Sequence, residues 1–266
     1  MRPIENTHQS VEFGQFVVNP LTKTRRDSID DFGNHVCHFE INTSLQSFVV
    51  TAIHTVLTKP HAAINFATSA PWEQVVEVAA DQSRVDPHYL NVSGASQYVA
   101  FDKNISLYAE SSFTRKCPIL DAAFDLIQRI YTDFQYDPHA TQVDTSAIEA
   151  FQIKRGVCQD LTHVAIACLR SLKLPARYVS GYVDTKSLSS KKTHKVAADV
   201  SHAWFSVYDP QFGWVDFDPT NNKLVDESYI TLAYGRDYSD VAPLVGKVDT
   251  SGNNQLKVNV DLAVMD

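Results

Sequence analysis

Three stretches of this chain carry side chains that together could perform covalent catalysis. Cys158 stands in Gly156-Val157-Cys158-Gln159-Asp160-Leu161-Thr162-His163, His202 in Ser201-His202-Ala203-Trp204, and Asp218 in Trp214-Val215-Asp216-Phe217-Asp218-Pro219-Thr220. A thiol attacks, an imidazole takes its proton, and a carboxylate orients the imidazole. The chemistry requires that the fold bring the three together.

The cysteine comes first. Arg155-Gly156 interrupts the preceding helical pattern, and Leu161, Ala165, Ile166, Leu169 and Leu172 then recur at helical spacing, so Cys158 is expected in the first turn of a helix. Unpaired N–H groups and the positive end of the helix dipole gather at that turn. They favour thiolate over thiol and are aimed where a tetrahedral oxyanion would form. Cys168 falls inside the apolar pattern and is expected to be an inert core residue.

The histidine and the aspartate read as parts of one hairpin. Ser201 to Tyr208 alternates, with His202, Trp204, Ser206 and Tyr208 on one face and Ala203, Phe205 and Val207 on the other. Asp209-Pro210-Gln211-Phe212-Gly213 is a turn, and Trp214 to Phe217 returns as a strand. Pairing Tyr208 with Trp214 puts Ser206 opposite Asp216 and Trp204 opposite Asp218, which leaves Asp218 diagonal to His202. Both carboxylates share the histidine's face; proximity favours Asp218.

The strings GVCQDLTHVAIACLRSLKLPARYVSGYV, SHAWFSVYDPQFGWVDFDPTNN and YITLAYGRDYSDVAPLVG resemble the bacterial transglutaminase-like proteins, a family described as cysteine proteases. DDFGNHVCHFEI and TSAIEAFQIKRGVCQD extend the resemblance over nearly the whole chain. It implies Cys158 as nucleophile, His202 as base and Asp218, the aspartate of the DPT string, as the third member. It also implies two further strands ahead of the segment matching Met1 to Asn6, so the chain is expected to begin inside its N-terminal β-domain.

The bulk properties suit such a protein. Hydrophobic residues at 44% and charged residues at 20% describe a globular chain, and a formal net charge of −8 gives no basic face for nucleic acid or an anionic membrane. Cys37, Cys117, Cys158 and Cys168 are irregularly spaced, which fits neither a disulfide framework nor a metal knuckle and suits a reducing, cytoplasmic setting. The chain contains no apolar run of membrane-spanning length. His35, His38, His54 and His61 lie at strand positions without partnering carboxylates, so no metal and no cofactor is expected.

Taken in order, residues 1 to 67 read as a small antiparallel β-domain with one covered face. It has strands at Phe13 to Val18, His35 to Ile41 and Phe48 to Leu57, and Pro20 to Asp27 is a polar connection. Residues 68 to 100 read as an interdomain connection opened by Ser69-Ala70-Pro71-Trp72, with Trp72 buried at the seam. Residues 101 to 266 read as the catalytic domain. Helices are expected at Ile105 to Phe113, Ile119 to Phe134 and Ile148 to Ile153, the last capped by Thr145-Ser146-Ala147. After the cysteine helix comes a strand from Tyr178 to Val183 and a long segment, Asp184 to Val200, that could serve as a lid. Tyr229 to Tyr234 is extended, and a half-buried strand is expected from Leu256 to Val264. Gln152 stands six residues before Cys158, the spacing of an oxyanion-hole glutamine in papain-type proteases.

The expected fold is therefore α+β: a papain-like, transglutaminase-like catalytic domain, its Cys-bearing helix packed on an antiparallel sheet bearing His and Asp, behind a small antiparallel β-domain. The expected activity is thiol-dependent hydrolysis of a peptide or other amide through an acyl-enzyme thioester. No D-x-[DN]-x-[DN]-G calcium loop appears, and hydrolysis demands less of a site than amine transfer does. Transglutaminase activity on glutamine side chains is the alternative, and a non-catalytic binding protein on the same fold is a further one.

Overall fold

The computed structural model describes residues 2–22, 24–82, 91–184, 201–249, 252 and 255–265. Its centre is a helix, here α5, spanning Cys158–Ser171, and a five-stranded antiparallel sheet that packs against it. Ahead of that helix in the chain lie α1 (Trp72–Gln82), α2 (Lys103–Glu110), α3 (Ile119–Asp133) and α4 (Ala147–Ile153). The sheet consists of β7 (Ala176–Val183), β8 (His202–Asp209), β9 (Gly213–Asp218), β10 (Lys223–Leu224) and β11 (Tyr229–Gly235), in the order β10-β9-β8-β7-β11.

Helix α5 is buried all round rather than along one stripe: Val164, Ala165, Ile166, Cys168 and Leu169 are fully inaccessible, and so are Thr162 and His163. Such a helix is a core element with neighbours on every side. Ala203, Phe205 and Val207 of β8 and Phe217 of β9 meet it in the main core. Trp204 faces the other way, into a second cluster with Ile4, Val179, Val183, Val225, Tyr229 and Tyr234. The alternation read from the sequence is thus the division between two cores.

The helices that precede α5 fall where hydrophobic period and caps put them. Helix α3 buries Ile119, Leu120, Ala123, Leu126, Ile127 and Ile130, and α4 opens with a capping box between Ser146 and Glu149. Arg170, at the far end of α5, is almost wholly buried. Its guanidinium donates to the carbonyls of Ala176, Gly94 and Arg236, which ties three loops to the helix.

The N-terminal part departs from expectation in two ways. It forms two separate two-stranded ribbons, β1 (Gln9–Asn19) with β4 (Val49–Thr58) and β2 (Thr24–Ile29) with β3 (His35–Glu40), instead of one sheet. The second half of the stretch Pro20 to Asp27, read as polar connection, belongs to the strand β2, because polar side chains are tolerated where both faces are solvated; the burial of β2 is slight throughout. Trp72 is also differently placed. Its indole donates to the Thr114 carbonyl (3.0 Å) and its ring meets Phe113 edge-on, within the helical layer rather than at a seam with the β-strands.

The strand expected from Leu256 to Val264 does not form. Among the described residues, 255–265 carry no strand, and Leu256, Val258, Leu262 and Val264 are exposed. Alternation proposes a strand but cannot supply the partner edge whose hydrogen bonds make one. The lid candidate, residues 185–200, lies outside the described residues.

The N-terminal segment meets the sheet at its edge strand, β11, through side-chain amides that imitate a strand. Gln9 donates to the Thr231 carbonyl and accepts from the Thr231 N–H, both at 2.8 Å. Asn34 does the same with Tyr234, at 2.7 and 2.8 Å. The otherwise unpaired polar backbone of an edge strand is thereby satisfied. Asn34→Ala is expected to strand both Tyr234 backbone groups and to cost about 1–3 kcal/mol in urea unfolding; an unchanged midpoint and slope would refute this account of the edge.

Candidate active site

The loop that delivers Cys158 is held from both sides. Lys154, at a positive φ of 55°, closes α4, and its ammonium lies 3.6 Å from the ring centre of Phe151, 4.1 Å from Phe134 and 4.6 Å from Tyr108. This cage offsets part of the burial that lowers the lysine's proton affinity. Next, Arg155 and Gly156 pair in parallel with Gln135 and Tyr136. The Asp160 carboxylate then turns back to accept from the Val157 N–H (2.8 Å) and the Thr141 hydroxyl (2.7 Å). Burial pushes Asp160 upward, and those two donors oppose the push. Gly156 is the residue this arrangement requires, since a Cβ there would lie 2.5 Å from Asp160 Oδ2.

Cys158 therefore stands in the first turn of α5, partly accessible. Cys37 and Cys117 are also partly accessible, and Cys168 is buried. Burial is the main cause that raises Cys37 and Cys117, and it pushes Cys168 up to about 12 in the core. The expectation that Cys168 is a core residue agrees with its full burial.

The hairpin has the register read from the sequence, with Tyr208 opposite Trp214 and Ser206 opposite Asp216. His202 opens β8 and Asp218 closes β9, so antiparallel pairing puts both at the same end of the sheet. His202 Nε2 bonds Asp218 Oδ2 at 2.7 Å, with both side chains inaccessible. Asp216 has a different partner, the Trp204 indole N–H at 3.1 Å. The choice between the two carboxylates is thus settled geometrically in favour of Asp218 as the histidine's neighbour.

Asp218 collects five hydrogen bonds. Oδ1 accepts from the N–H groups of Thr220 (2.8 Å) and Asn221 (3.1 Å); Oδ2 accepts from His202, the Asn221 amide (2.7 Å) and the Tyr229 hydroxyl (2.8 Å). Burial works to raise Asp218, but the His202 charge and these donors prevail and hold it below the ordinary carboxylate range. For His202, burial works downward. The charge and hydrogen bond of Asp218, followed by interaction with the Cys158 sulfur, outweigh it and raise the imidazole to about 10. Nδ1, the ring nitrogen not used by Asp218, is buried without a hydrogen-bond partner.

The structure thus brings His202 and Asp218 into contact, and the Cys158 sulfur is among the groups that raise the imidazole. Gln152 is exposed on α4 and takes no part in these hydrogen bonds. Sequence reasoning passed over Tyr229, Asn221 and Asp160. The capping geometry of Asp160, two residues after Cys158, was open to recognition as an acidic first-turn residue; Tyr229 left no such local signal.

Comparisons with known proteins place the fold in a family. Residues 108–219 match the transglutaminase-like superfamily, and residues 1–57 match the bacterial transglutaminase-like N-terminal region. An uncharacterized Mycobacterium tuberculosis protein is 33% identical over 270 residues, covering 98% of this chain and 84% of its own. A Mycobacterium leprae protein, also uncharacterized, is 31% identical over 267 residues, covering 98% and 89%. The structure of a "Putative Cysteine Protease from Cytophaga hutchinsonii" has a TM-score of 0.69 and 23% identity, covering 91% of this chain and 76% of that one; it is similar in fold. The chain belongs to the transglutaminase-like superfamily, with the N-terminal region of its bacterial members.

Two outcomes are expected. Because His202 is raised from 6.5 to about 10, its stabilising contribution is complete below about pH 6.5 and is lost as pH rises through 10; Asp218, lowered, loses its own only in acid. The stability difference between wild type and His202→Gln should be flat from about pH 5 to 6.5 and shrink toward pH 10 in urea titrations. Gly156→Ala should destabilise by about 1–3 kcal/mol. Part of that loss should vanish in an Asp160→Gly background, which removes all three of the atoms that a Cβ at 156 would strike, and purely additive double-mutant energies would remove the assigned clash.

Proposed function

We propose that the protein is a thiol-dependent amide hydrolase acting through Cys158, His202 and Asp218. The observation that supports this reading most is the buried His202–Asp218 pair beside a helix-opening, partly accessible cysteine. A buried ion pair is costly to build for stability alone, and this one stands beside the one thiol of the four placed at a helix start.

In the proposed reaction His202 takes the Cys158 proton, giving a thiolate–imidazolium pair that Asp218 orients. The sulfur attacks an amide carbonyl carbon, and the oxyanion is met by helix-opening backbone N–H groups at Cys158 and Gln159, which lack intrahelical acceptors. Collapse breaks the C–N bond as the imidazolium hands its proton to the leaving amine. Water, deprotonated by His202, then cleaves the thioester and restores the thiol. A peptide or other amide is the proposed substrate, and neither nucleic acid nor membrane enters the scheme. No helix among the described residues is long and apolar enough to cross a membrane. Four free cysteines fit a reducing compartment such as the cytoplasm, which we propose as its location. If an amine resolved the thioester in place of water, the same groups would perform transglutamination.

Alkylation tests the reading without a known substrate. Iodoacetamide at about pH 6 should modify Cys158 at least tenfold faster than Cys37, Cys117 or Cys168, and His202→Ala should abolish the preference. Equal labelling of all four thiols would end the enzyme reading. On glutamine-bearing peptides, release of glutamate faster than incorporation of cadaverine supports hydrolysis; the reverse ranking supports amine transfer.

A further inference from the structure

Tyr229 lies beyond the segment that matches the superfamily, which ends at residue 219. It is the first residue of the edge strand β11, paired with Val183 at the end of β7. That register puts it at the end of the sheet where His202 and Asp218 stand. Its hydroxyl donates to Asp218 Oδ2 at 2.8 Å, onto the same oxygen that His202 Nε2 holds at 2.7 Å. The Trp204 ring fixes its aim from the side, edge-on at 5.3 Å. Gly181, opposite His202 on β7, leaves the room for that ring, because a Cβ there would collide with Trp204 and the Ile230 carbonyl.

We propose that Tyr229 is a positioning residue for the acid–base pair: its hydroxyl competes with the His202 N–H for one Asp218 oxygen, and so sets how strongly the carboxylate grips the imidazole. The inference builds on the proposed thiol chemistry but concerns the pair itself. An oxygen accepting three hydrogen bonds shares its charge among them, so each donor weakens the others' hold. Buried and beside Asp218, the phenol is raised well above its ordinary range and stays a donor across the working pH. The other ionisable groups facing this site are few. Cys158 lies on the thiol side of the imidazole, and the Lys223 ammonium, paired with Asp226, sits 5.4 Å from the Tyr229 ring centre. A weakened grip suits catalysis, because the imidazolium must give up its proton to the leaving amine.

The test is the titration of the His202 imidazole, followed by nitrogen NMR in wild type and Tyr229→Phe, beside the pH dependence of Cys158 alkylation. Tyr229→Phe keeps the ring against Trp204 and removes the competing donor, so the His202 midpoint should rise by about half a pH unit to one unit. The alkaline limb of alkylation should rise with it. 3-Fluorotyrosine at position 229 is a stronger donor of nearly the same shape and should lower the midpoint; it decides the question if the phenylalanine variant does not fold. A Tyr229 that serves packing alone would change thermal stability and leave the midpoint in place, which overturns the proposal, as does a fall in Tyr229→Phe. The imidazole titration needs no reactive thiol. A shifted midpoint with unselective alkylation would therefore keep the positioning role and remove the hydrolase reading.

Discussion

A carboxylate with no exposure to water is the constraint around which this structure is arranged. Asp218 is fully buried, and an ionised carboxylate taken out of water becomes neutral unless its lost hydration is replaced. Five donors replace it, drawn from three places: two backbone N–H groups and an amide from the turn that follows, an imidazole from β8 and a phenol from β11. No single element could supply that set. The sheet order β9-β8-β7-β11 has its chemical meaning here, since it brings the ends of β9, β8 and β11 to one rim. Removing one partner from such a pair typically costs about 3–5 kcal/mol, because the remaining charge stays buried.

The cysteine is held by different physics. Here it is the backbone leading to the side chain that is fixed. The caged Lys154 ammonium, the two-residue parallel ladder and the Asp160 cap each restrain a successive residue from 154 to 157. A thiol carried by a restrained loop at the mouth of a core helix has little backbone freedom left to lose, as the proposed attack requires. The helix start and the strands that carry His202 and Asp218 pack into one core through Cys158, Ala203, Phe205 and Phe217.

How much of this the sequence displayed depends on the range of the interaction. The helix starting at Cys158 and the hairpin register that favours Asp218 over Asp216 were legible, because helical period, a five-residue turn and strand parity act over fewer than 20 residues. The amide pairs of Gln9 with Thr231 and Asn34 with Tyr234 span more than 190 positions and have no local signature. Tyr229 is close to Asp218 in the chain, yet its role depends on β11 pairing with β7, which parity cannot announce. The β2 strand and the absent strand at Leu256 to Val264 err in opposite directions for one reason. A strand exists by virtue of its neighbour, so polar Thr24–Ile29 becomes one beside β3 while a cleanly alternating segment without an edge does not.

The two cores flanking the sheet also explain why the edge strand matters to chemistry. Tyr229 and Tyr234 of β11 pack with Trp204 and Ile4 in the smaller cluster, and the N-terminal amides bond the same strand at Thr231 and Tyr234. The N-terminal segment thereby supports the strand that carries the phenol facing Asp218. The β-rich N-terminus and the phenol that donates to Asp218 thus share one strand, so the backbone whose free edge the N-terminal amides satisfy also carries a donor to the buried carboxylate.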